Sequence, residues 1–253
     1  IVVGAYLYDN GETDEGVVFV YNGSSTGIIT TPSAMLESNQ ALAHFGREVK
    51  SAGDVNGDGY SDVIVGAADY DNGQLNEGAA YIFHGSAAGI ITAPAIILES
   101  NQSNSGYGLS VDGAGDVNGD GYSDVIVGAL QYSNIITDQG AAFIYYGSAS
   151  GVNPIAALIL YGDQNGCRFG YQASCAGDIN ADGYSDIVVG AYSYDKGQVN
   201  EGAAFVYYGS STGIISTPVN ILESNQSNAL FGIAAESAGD VNGDGYSDLI
   251  IGA

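Results

Sequence analysis

Short apolar runs separated by turn residues dominate the chain. Within residues 45–106 the runs VIVGA, AAYIF and AIIL stand between stretches rich in Gly, Asn, Asp and Ser. Such runs predict strands, and no helical period is present. We predict four strands here, over residues 46–53, 62–67, 79–84 and 94–99. Because the second to fourth strands are apolar almost without alternation, we expect both of their faces to be covered.

This pattern recurs every 62 residues without insertion or deletion. We call residues 45–106, 107–168 and 169–230 repeats one, two and three; residues 1–44 end a preceding repeat, and 231–253 begin a following one. An aromatic-glycine pair opens each repeat: Phe45-Gly46, Tyr107-Gly108, Phe169-Gly170 and Phe231-Gly232. A constant period indicates one unit that stacks on copies of itself. Four antiparallel strands per unit predict an all-β fold of β-propeller-type blades.

The period also bears on domain organisation. We expect residues 1–253 to form a single array of four periods with a redundant second strand at 249–253. In a closed four-bladed ring, residues 231–248 would complete the blade that Ile1 begins. The second strand at residues 249–253 would then have no place in the ring. The surplus favours a fragment of a longer propeller or array. An open or intermolecular assembly, in which a terminal strand completes a neighbour's blade, is the alternative.

Composition narrows the possible partners. The formal charge is −25, with four Lys and Arg against 29 Asp and Glu. Such a surface would repel nucleic acid and anionic lipid, so we predict no nucleic-acid partner. No apolar run in this segment is long enough to span a membrane. Cys167 and Cys175 lie eight residues apart on one predicted strand, where a mutual disulfide would require a turn, and Cys175 is expected to be a small buried residue.

The connection between the first and second strands of each repeat carries an acidic motif. It is DVNGDGYSD three times and DINADGYSD once. Carboxylate, amide and backbone carbonyl oxygens at positions 1, 3, 5, 7 and 9 match the ligand preference of Ca²⁺. An Asp/Asn/Gly turn without metal is the alternative. We predict about four Ca²⁺ ions, held by Asp54, Asn56, Asp58, Tyr60 and Asp62; Asp116, Asn118, Asp120, Tyr122 and Asp124; Asp178, Asn180, Asp182, Tyr184 and Asp186; Asp240, Asn242, Asp244, Tyr246 and Asp248.

An EF-hand loop begins in the same way and must be distinguished. It requires a bidentate carboxylate at position 12 and flanking helices. Position 12 here is Val65, Val127, Val189 or Ile251, each within an apolar strand. The acid has moved to position 9, so the loop is expected to close a hairpin. The third loop has Ala181 where the others have glycine, and its metal site should be the weakest if that position needs a positive φ angle.

The combined motif resembles a known family. Phe-Gly, then DxNxDGxxD, then an apolar strand ending in Gly-Ala is similar to the FG-GAP repeat of integrin α-subunit β-propellers and related bacterial surface proteins. The resemblance covers every period. It implies hairpins that bind Ca²⁺ on one face of a propeller, and loops on the opposite face that recognise partners. Two departures are the missing proline after Gly-Ala and the blade number, since integrin-like propellers have seven blades.

Candidate catalytic residues should break the repeat. The clearest break is His44, Arg47, Glu48 and Lys50, for which a salt-bridge cluster is a simpler explanation than a functional patch. His84, alone at the end of a strand, is expected to be merely packed. The acids at Glu15, Glu77 and Glu201, and at Glu37, Glu99 and Glu223, share two registers and therefore indicate scaffold or surface.

No nucleophile elbow, HExxH or CxxC motif is present. We therefore predict a calcium-stabilised extracellular or cell-surface binding or adhesion module without catalytic activity. Its partners would be a protein or polysaccharide ligand, or copies of itself. A self-assembling surface-layer or filament subunit is the alternative, and an accessory domain of a secreted hydrolase is a further one. Specificity is expected in the loops between strands two and three and between strand four and the next strand one.

Overall fold

A computed structural model describes all 253 residues and contains only strands, turns and irregular segments. Repeats one, two and three each form a four-stranded antiparallel sheet with strands in sequence order. The preceding residues form a three-stranded sheet, and the following ones a two-stranded sheet. No helix of the length and apolar character needed to cross a membrane is present.

The strand bounds follow the sheets in chain order. The first sheet contains β1 (Val2–Ala5), β2 (Val17–Val20) and β5 (Ala34–Glu37), with the small hairpin β3 (Gly23–Ser24) and β4 (Gly27–Ile28) between β2 and β5. Repeat one forms β6 (Val49–Gly53), β7 (Asp62–Ala67), β8 (Ala79–Phe83) and β9 (Ile96–Glu99). Repeat two forms β10 (Tyr107–Gly115), β11 (Asp124–Ala129), β12 (Ala141–Tyr145) and β13 (Leu158–Tyr161). Repeat three forms β14 (Phe169–Gly177), β15 (Asp186–Ala191), β16 (Ala203–Tyr207) and β17 (Asn220–Glu223), and the last sheet contains β18 (Ala234–Gly239) and β19 (Asp248–Gly252).

The predicted four-strand unit is confirmed, with one correction on burial. Every residue of β7 and β8 is buried, as the unbroken apolar runs predict. On β9 only Leu98 is buried, whereas Ile97 is 37% exposed. The expectation that the fourth strand is covered on both faces was therefore wrong. This strand forms the outer edge of its sheet, with a neighbour on one side only.

Close contact between neighbouring sheets explains the glycines of the motif. A Cβ atom on Gly66 would lie 1.9 Å from the carbonyl oxygen of Gly108, the glycine of the next aromatic-glycine pair. The same contact recurs between Gly128 and Gly170 at 2.0 Å. Gly108 has φ +78°, a backbone conformation that favours glycine. The aromatic residues Phe45, Tyr107 and Phe169 are buried, so these three pairs anchor their sheets in the core and against the sheet before.

The sheets stack side by side and are not closed into a ring. The first strands β6, β10, β14 and β18 lie next to one another in that order. Lys50 on β6 forms an ion pair of 2.7 Å with Glu236 on β18, although 186 residues separate them, so the stack curves around an axis lined by these inner strands. β1 pairs only with β2, so residues 231–248 do not complete the sheet that Ile1 begins.

The two cysteines are free. Cys167 is buried and its thiol donates to the carbonyl oxygen of Gln139 at 3.1 Å. Cys175 lies on the inner strand β14 and is half-buried rather than fully buried, because that strand borders the axis.

Candidate metal loops and the opposite loop face

The connections between the first and second strands, which we call the aspartate loops, are residues 54–62, 116–124, 178–186 and 240–248. In the first of them, the Asp54 carboxylate accepts hydrogen bonds from the backbone N–H groups of Gly57, Asp58 and Gly59, at 2.7 to 3.1 Å. Gly57 and Gly59 have φ of +72° and +88°. These left-handed turns wind the loop around the carboxylate, and they explain why glycine recurs at those positions.

The Asn56 and Asp58 side chains lie on the exposed part of the same loop, where the Asn56 amide donates to Asp58 at 3.0 Å. Position 9 is placed differently. The Asp62 carboxylate is fully buried and accepts the backbone N–H groups of Val55 at 2.9 Å and Gly85 at 2.8 Å. It therefore joins the loop to the end of the third strand. The second and third loops repeat this arrangement through Asp124 and Asp186.

The predicted site residues are thus in one loop, but no three carboxylates converge at metal-ligand spacing. The pKa of Asp124 is raised to about 7 and that of Asp186 to about 6, mainly by burial and to a smaller extent by the neighbouring loop aspartates. Both shifts arise because a negative charge has been removed from water close to other negative charges. The donor set is entirely oxygen, from carboxylate, amide and backbone groups, and this chemistry fits Ca²⁺.

The third loop differs from the others at one position. Ala181 has φ +57°, so this position does adopt the left-handed conformation, which is unfavourable for a residue with a Cβ atom. Gly57, Gly119 and Gly243 each donate their N–H to the first aspartate at 2.7 Å, and Ala181 makes no such bond. Position 181 therefore has the positive φ angle on which the expectation of a weaker third site depended. The lower metal affinity of that site remains a prediction.

Each aspartate loop also contacts the next one along the stack. The Ser123 N–H donates to the Asp54 carbonyl oxygen at 3.0 Å, and the Ser123 hydroxyl accepts the Asp54 N–H at 3.1 Å. The Tyr122 ring lies over Gly57, where a Cβ atom would be 2.6 Å from the ring. The Tyr and Ser of the motif thus serve contacts between repeats, a role that metal-ligand spacing alone did not indicate.

The opposite end of the sheets carries the other two kinds of connection. The 2–3 loops are residues 7–16, 69–78, 131–140 and 193–202, between the second and third strands; the 4–1 loops lead from each fourth strand to the next first strand. A depression of about 290 Å³ opens there, lined among others by Arg47, Asn104, Leu130 and Tyr171. A neighbouring depression of about 200 Å³ shares Arg47 and Tyr171 with it. The placement opposite the aspartate loops agrees with the family resemblance.

A glutamine in three of the 4–1 loops holds the following 2–3 loop. The Gln102 amide donates to the Ser133 carbonyl oxygen at 2.9 Å and accepts the Ser133 N–H at 2.7 Å. Gln40 and Gln164 make the same pair of bonds to the backbone of Asp71 and Asp195. Sequence reasoning missed these glutamines, although their recurrence at the 62-residue period was a visible signal.

The four residues that break the repeat at 44–50 do not form one cluster. His44 contacts Asp69 at 2.6 Å, and the Arg47 guanidinium lies 5.9 Å from the centre of the Tyr6 ring. Glu48 accepts the Val111 N–H at 2.9 Å across the gap between inner strands, and Lys50 pairs with Glu236. The expected salt-bridge cluster is therefore not formed: His44 and Lys50 make two separate ion pairs, and the four residues contact different parts of the stack.

The remaining sequence expectations concern single residues. The His84 Nε2 atom is buried without a hydrogen-bond partner, and a Cβ atom on Gly151 would meet this ring at 3.2 Å. Glu15, Glu77 and Glu201 are buried inside the 2–3 loops, where each accepts backbone N–H groups. These bonds hold the turn of each loop, which agrees with the scaffold role that the common register predicted.

Comparison with known proteins agrees with this architecture. The sequence model of the FG-GAP repeat matches residues 170–207 and 233–253, and that of the FG-GAP-like repeat matches residues 53–127. Together they cover more than half of the chain. The protein belongs to the FG-GAP repeat family, and its antiparallel sheets are repeats of the integrin α propeller type.

The curated relatives are integrin α subunits. Integrin alpha-5 of Xenopus laevis is 29% identical over 220 residues, which are 83% of this chain and 20% of that protein. Integrin alpha-6 of Gallus gallus is 37% identical over 164 residues, and integrin alpha-7 of Rattus norvegicus is 33% identical over 162. Each of these two alignments covers 63% of this chain and 14% of the relative. The chain therefore spans a fifth or less of these relatives' length.

Proposed function

We propose that this chain is a calcium-stabilised, non-catalytic binding or adhesion module that acts outside the cell or at its surface. The observation that carries the proposal is that the loops at the two ends of these FG-GAP sheets differ in how much they vary from repeat to repeat. Near-identical aspartate loops occupy one end, and 2–3 loops that vary more, above all at residues 131–139, lie beside a depression at the other. Loop variation on a rigid scaffold is typical of recognition. Similarity to integrin α subunits supports the extracellular setting.

Calcium would be held by the five groups of each aspartate loop, with Asp54, Asn56 and Asp58 supplying side-chain oxygens in the first. The ion would supply positive charge beside crowded carboxylates. We expect chelation to lower Tm, and Asp120→Asn to reduce the number of bound Ca²⁺ ions by one in equilibrium dialysis. Asp138→Asn, in a 2–3 loop, is the matched control. Ala181→Gly should tighten the third site. Unchanged melting in excess chelator with no metal retained would refute calcium stabilisation.

Recognition is tested by exchanging two 2–3 loops. Residues 131–139 and 193–201 have equal length, and each is held through its backbone by Gln102 or Gln164. The exchange should preserve Tm and calcium uptake, and should change retention on a panel of immobilised matrix proteins and polysaccharides. Retention that ignores the exchange would contradict the assignment of specificity to these loops. Hydrolysis of a glycan that Glu48→Gln abolishes without unfolding would contradict the non-catalytic proposal.

Self-assembly is the second candidate function, because near-identical repeats that stack on one another within this chain can also stack on the repeats of another copy. Light scattering across a concentration series separates the candidates: a constant monomer mass supports the binding module, and growth into an open polymer supports a surface-layer or filament subunit.

A further inference from the structure

The 2–3 loop of repeat one contains two carboxylates that share one asparagine. Glu77 is fully buried, and its Oε1 atom accepts the backbone N–H of Asn72. The Asn72 side-chain amide donates to both oxygens of Glu99, at 2.8 and 3.0 Å. Glu99 is half-buried at the end of β9. Two negative charges are therefore held at one asparagine, with no Lys or Arg in contact with either of them.

Buried polar atoms without partners lie at the same loop. Glu77 Oε2, Gln74 Oε1 and the Tyr81 hydroxyl all lack a hydrogen bond. Tyr81 is 2% exposed, and its ring stacks edge-on against that of Tyr70, at the start of the loop. All three atoms are oxygens that can accept or coordinate. Buried oxygens without partners are costly, and a buried carboxylate without a counter-charge is more so.

Repeat three shows how the same arrangement is completed elsewhere in the chain. Lys196 replaces Asn72 there, and its ammonium lies 3.5 Å from Glu223, the counterpart of Glu99. Its backbone N–H still donates to Glu201, the counterpart of Glu77, at 2.7 Å. Gln198, the counterpart of Gln74, accepts a hydrogen bond from Ser227 at 3.0 Å. Positive charge and the missing partner are therefore both present in repeat three.

Repeat two solves the problem by removing the charges. Gln139 and Tyr161 stand in place of the two glutamates, and Asn134 keeps the asparagine position. The Gln139 amide oxygen accepts the Ile136 N–H at 2.8 Å, so the loop keeps its fold without a carboxylate. In repeat three the acid pair is present and Lys196 neutralises part of its charge. In repeat two both the lysine and the two acids are absent. Repeat one keeps both acids and no cation, and so does the loop at residues 7–16, where the Asn10 N–H donates to Glu15 and the Asn10 amide donates to Glu37. Buried carboxylate and amide oxygens without a partner occur in the loop of repeat one and not in the loop at residues 7–16.

We propose that the 2–3 loop of repeat one binds a divalent cation, Ca²⁺ by its chemistry, between Glu77 and Glu99, with the Gln74 amide oxygen as a further ligand. Two carboxylates match a charge of +2, and oxygen ligands of mixed type in an irregular loop suit Ca²⁺ better than the octahedral preference of Mg²⁺. A depression of about 260 Å³, lined by Asp71, Gly73, Gln74 and Leu75, opens on the surface of the same loop. This site is separate from the aspartate loops, which lie at the other end of the sheets.

The test transfers the lysine of repeat three into repeat one. Asn72→Lys should bind one Ca²⁺ ion fewer than the unaltered protein in equilibrium dialysis, and should melt at a higher temperature in chelator. Asn134→Lys is the matched control, because it adds the same charge at the same register where the acids are absent; its calcium count should not change. The difference of one ion is expected whatever number the aspartate loops hold, so its failure is distinct from theirs.

Glu77→Gln copies the natural Gln139 and keeps an oxygen for the Asn72 N–H, so it provides a second variant if Asn72→Lys does not fold. It should also remove one Ca²⁺ ion. The proposal is overturned if both variants bind as much calcium as the unaltered protein, or if Asn72→Lys and Asn134→Lys lower the count equally. It is also overturned if acidification in chelator restores the full Tm and neither variant alters the calcium count, because the acid pair then holds a proton.

Discussion

The two ends of the sheets are joined from repeat to repeat by different kinds of contact. At the aspartate-loop end, the contacts use the motif's own side chains, such as the Tyr122 ring over Gly57. At the 2–3 loop end, Gln102 bonds only to the backbone of Ser133. A contact made by side chains fixes the residues on both sides, whereas a contact to backbone leaves the side chain free. This difference explains why one end is near-identical in every repeat and the other varies.

The largest effect that we predict concerns the axis between the two ends. Burial is the main cause that raises the pKa of Asp112 to about 6, and Glu236 adds to it, while Lys50 and the Cys175 and Gly113 N–H groups oppose it. The native state therefore holds this proton more tightly than the unfolded chain does, whose pKa is near the ordinary 3.8. Stability from this group is present below about pH 4 and is lost as the pH rises through 6.

Asp112→Asn should remove this dependence, because the amide oxygen can still accept the Cys175 N–H. The free energy of unfolding of the unaltered protein should fall by about 3 kcal/mol more than that of the variant between about pH 3 and pH 8. Urea titrations in saturating Ca²⁺ across this range measure the difference. Parallel pH profiles would contradict the prediction. If Asp112→Asn also changed the calcium affinity of the protein, the axis and the aspartate loops would not be independent.

The next effect tests the side-chain contacts at the aspartate-loop end. Gly119 has φ +74°, and a Cβ atom there would lie 2.5 Å from the Tyr184 ring. Gly119→Ala should cost about 2 kcal/mol, from left-handed strain and displacement of the ring. Gly243 has the same loop position and φ +75°, with open space around its Cβ direction. Gly243→Ala should cost only about 1 kcal/mol, so equal losses in thermal unfolding would exclude the ring contact.

A smaller effect is expected for the glutamines at the opposite end. Gln102→Ala removes two hydrogen bonds to the Ser133 backbone and should cost about 1 to 2 kcal/mol. Gln226 has the same register and is exposed without a side-chain hydrogen bond. Gln226→Ala should therefore change the free energy of unfolding by less than about 0.5 kcal/mol. Chemical denaturation of the pair measures the glutamine contact, and a loss of similar size in both variants would show that it contributes nothing.

The smallest effect sharpens the claim that only backbone matters at this contact. Ser133→Asp introduces the residue that repeats one and three have at this register, Asp71 and Asp195. The Ser133 hydroxyl accepts the Asp138 N–H, and the two aspartates accept the equivalent N–H groups of Asn76 and Asn200. Stability should change by less than about 0.5 kcal/mol. A larger loss in the same denaturation assay would mean that the 2–3 loops are less free to vary than their backbone contacts indicate.

The sequence predicted the repeating unit well because period, turn residues and apolar runs are all local signals. The bounds Asp62–Ala67 were correct, and the third strand was correct to within one residue. The first strand of repeat one began later than expected, at Val49, after the irregular segment with His44 at φ +52°. Contacts between repeats were not predictable in the same way, because they depend on how one sheet sits on the next.

The candidate sites divide along the same line. The aspartate loops could be located from spacing alone, since their ligands lie within nine residues. The proximity of Glu77 and Glu99 could not be located in this way, because β8 and the connection from β8 to β9 lie between the two residues in the sequence. Their common registers were visible, yet only the structure shows that one asparagine holds both and that Lys196 completes the counterpart.

The glycine contact between sheets has a consequence for inheritance. Gly66 on one sheet meets the Gly108 carbonyl of the next, and the same two halves recur at every junction. A duplicated stretch of 62 codons would carry both glycines that the contact needs, one for the junction with each neighbouring repeat. Recombination between near-identical copies would therefore yield a foldable product at any array length. The array can therefore change its length in whole repeats while every junction keeps this contact.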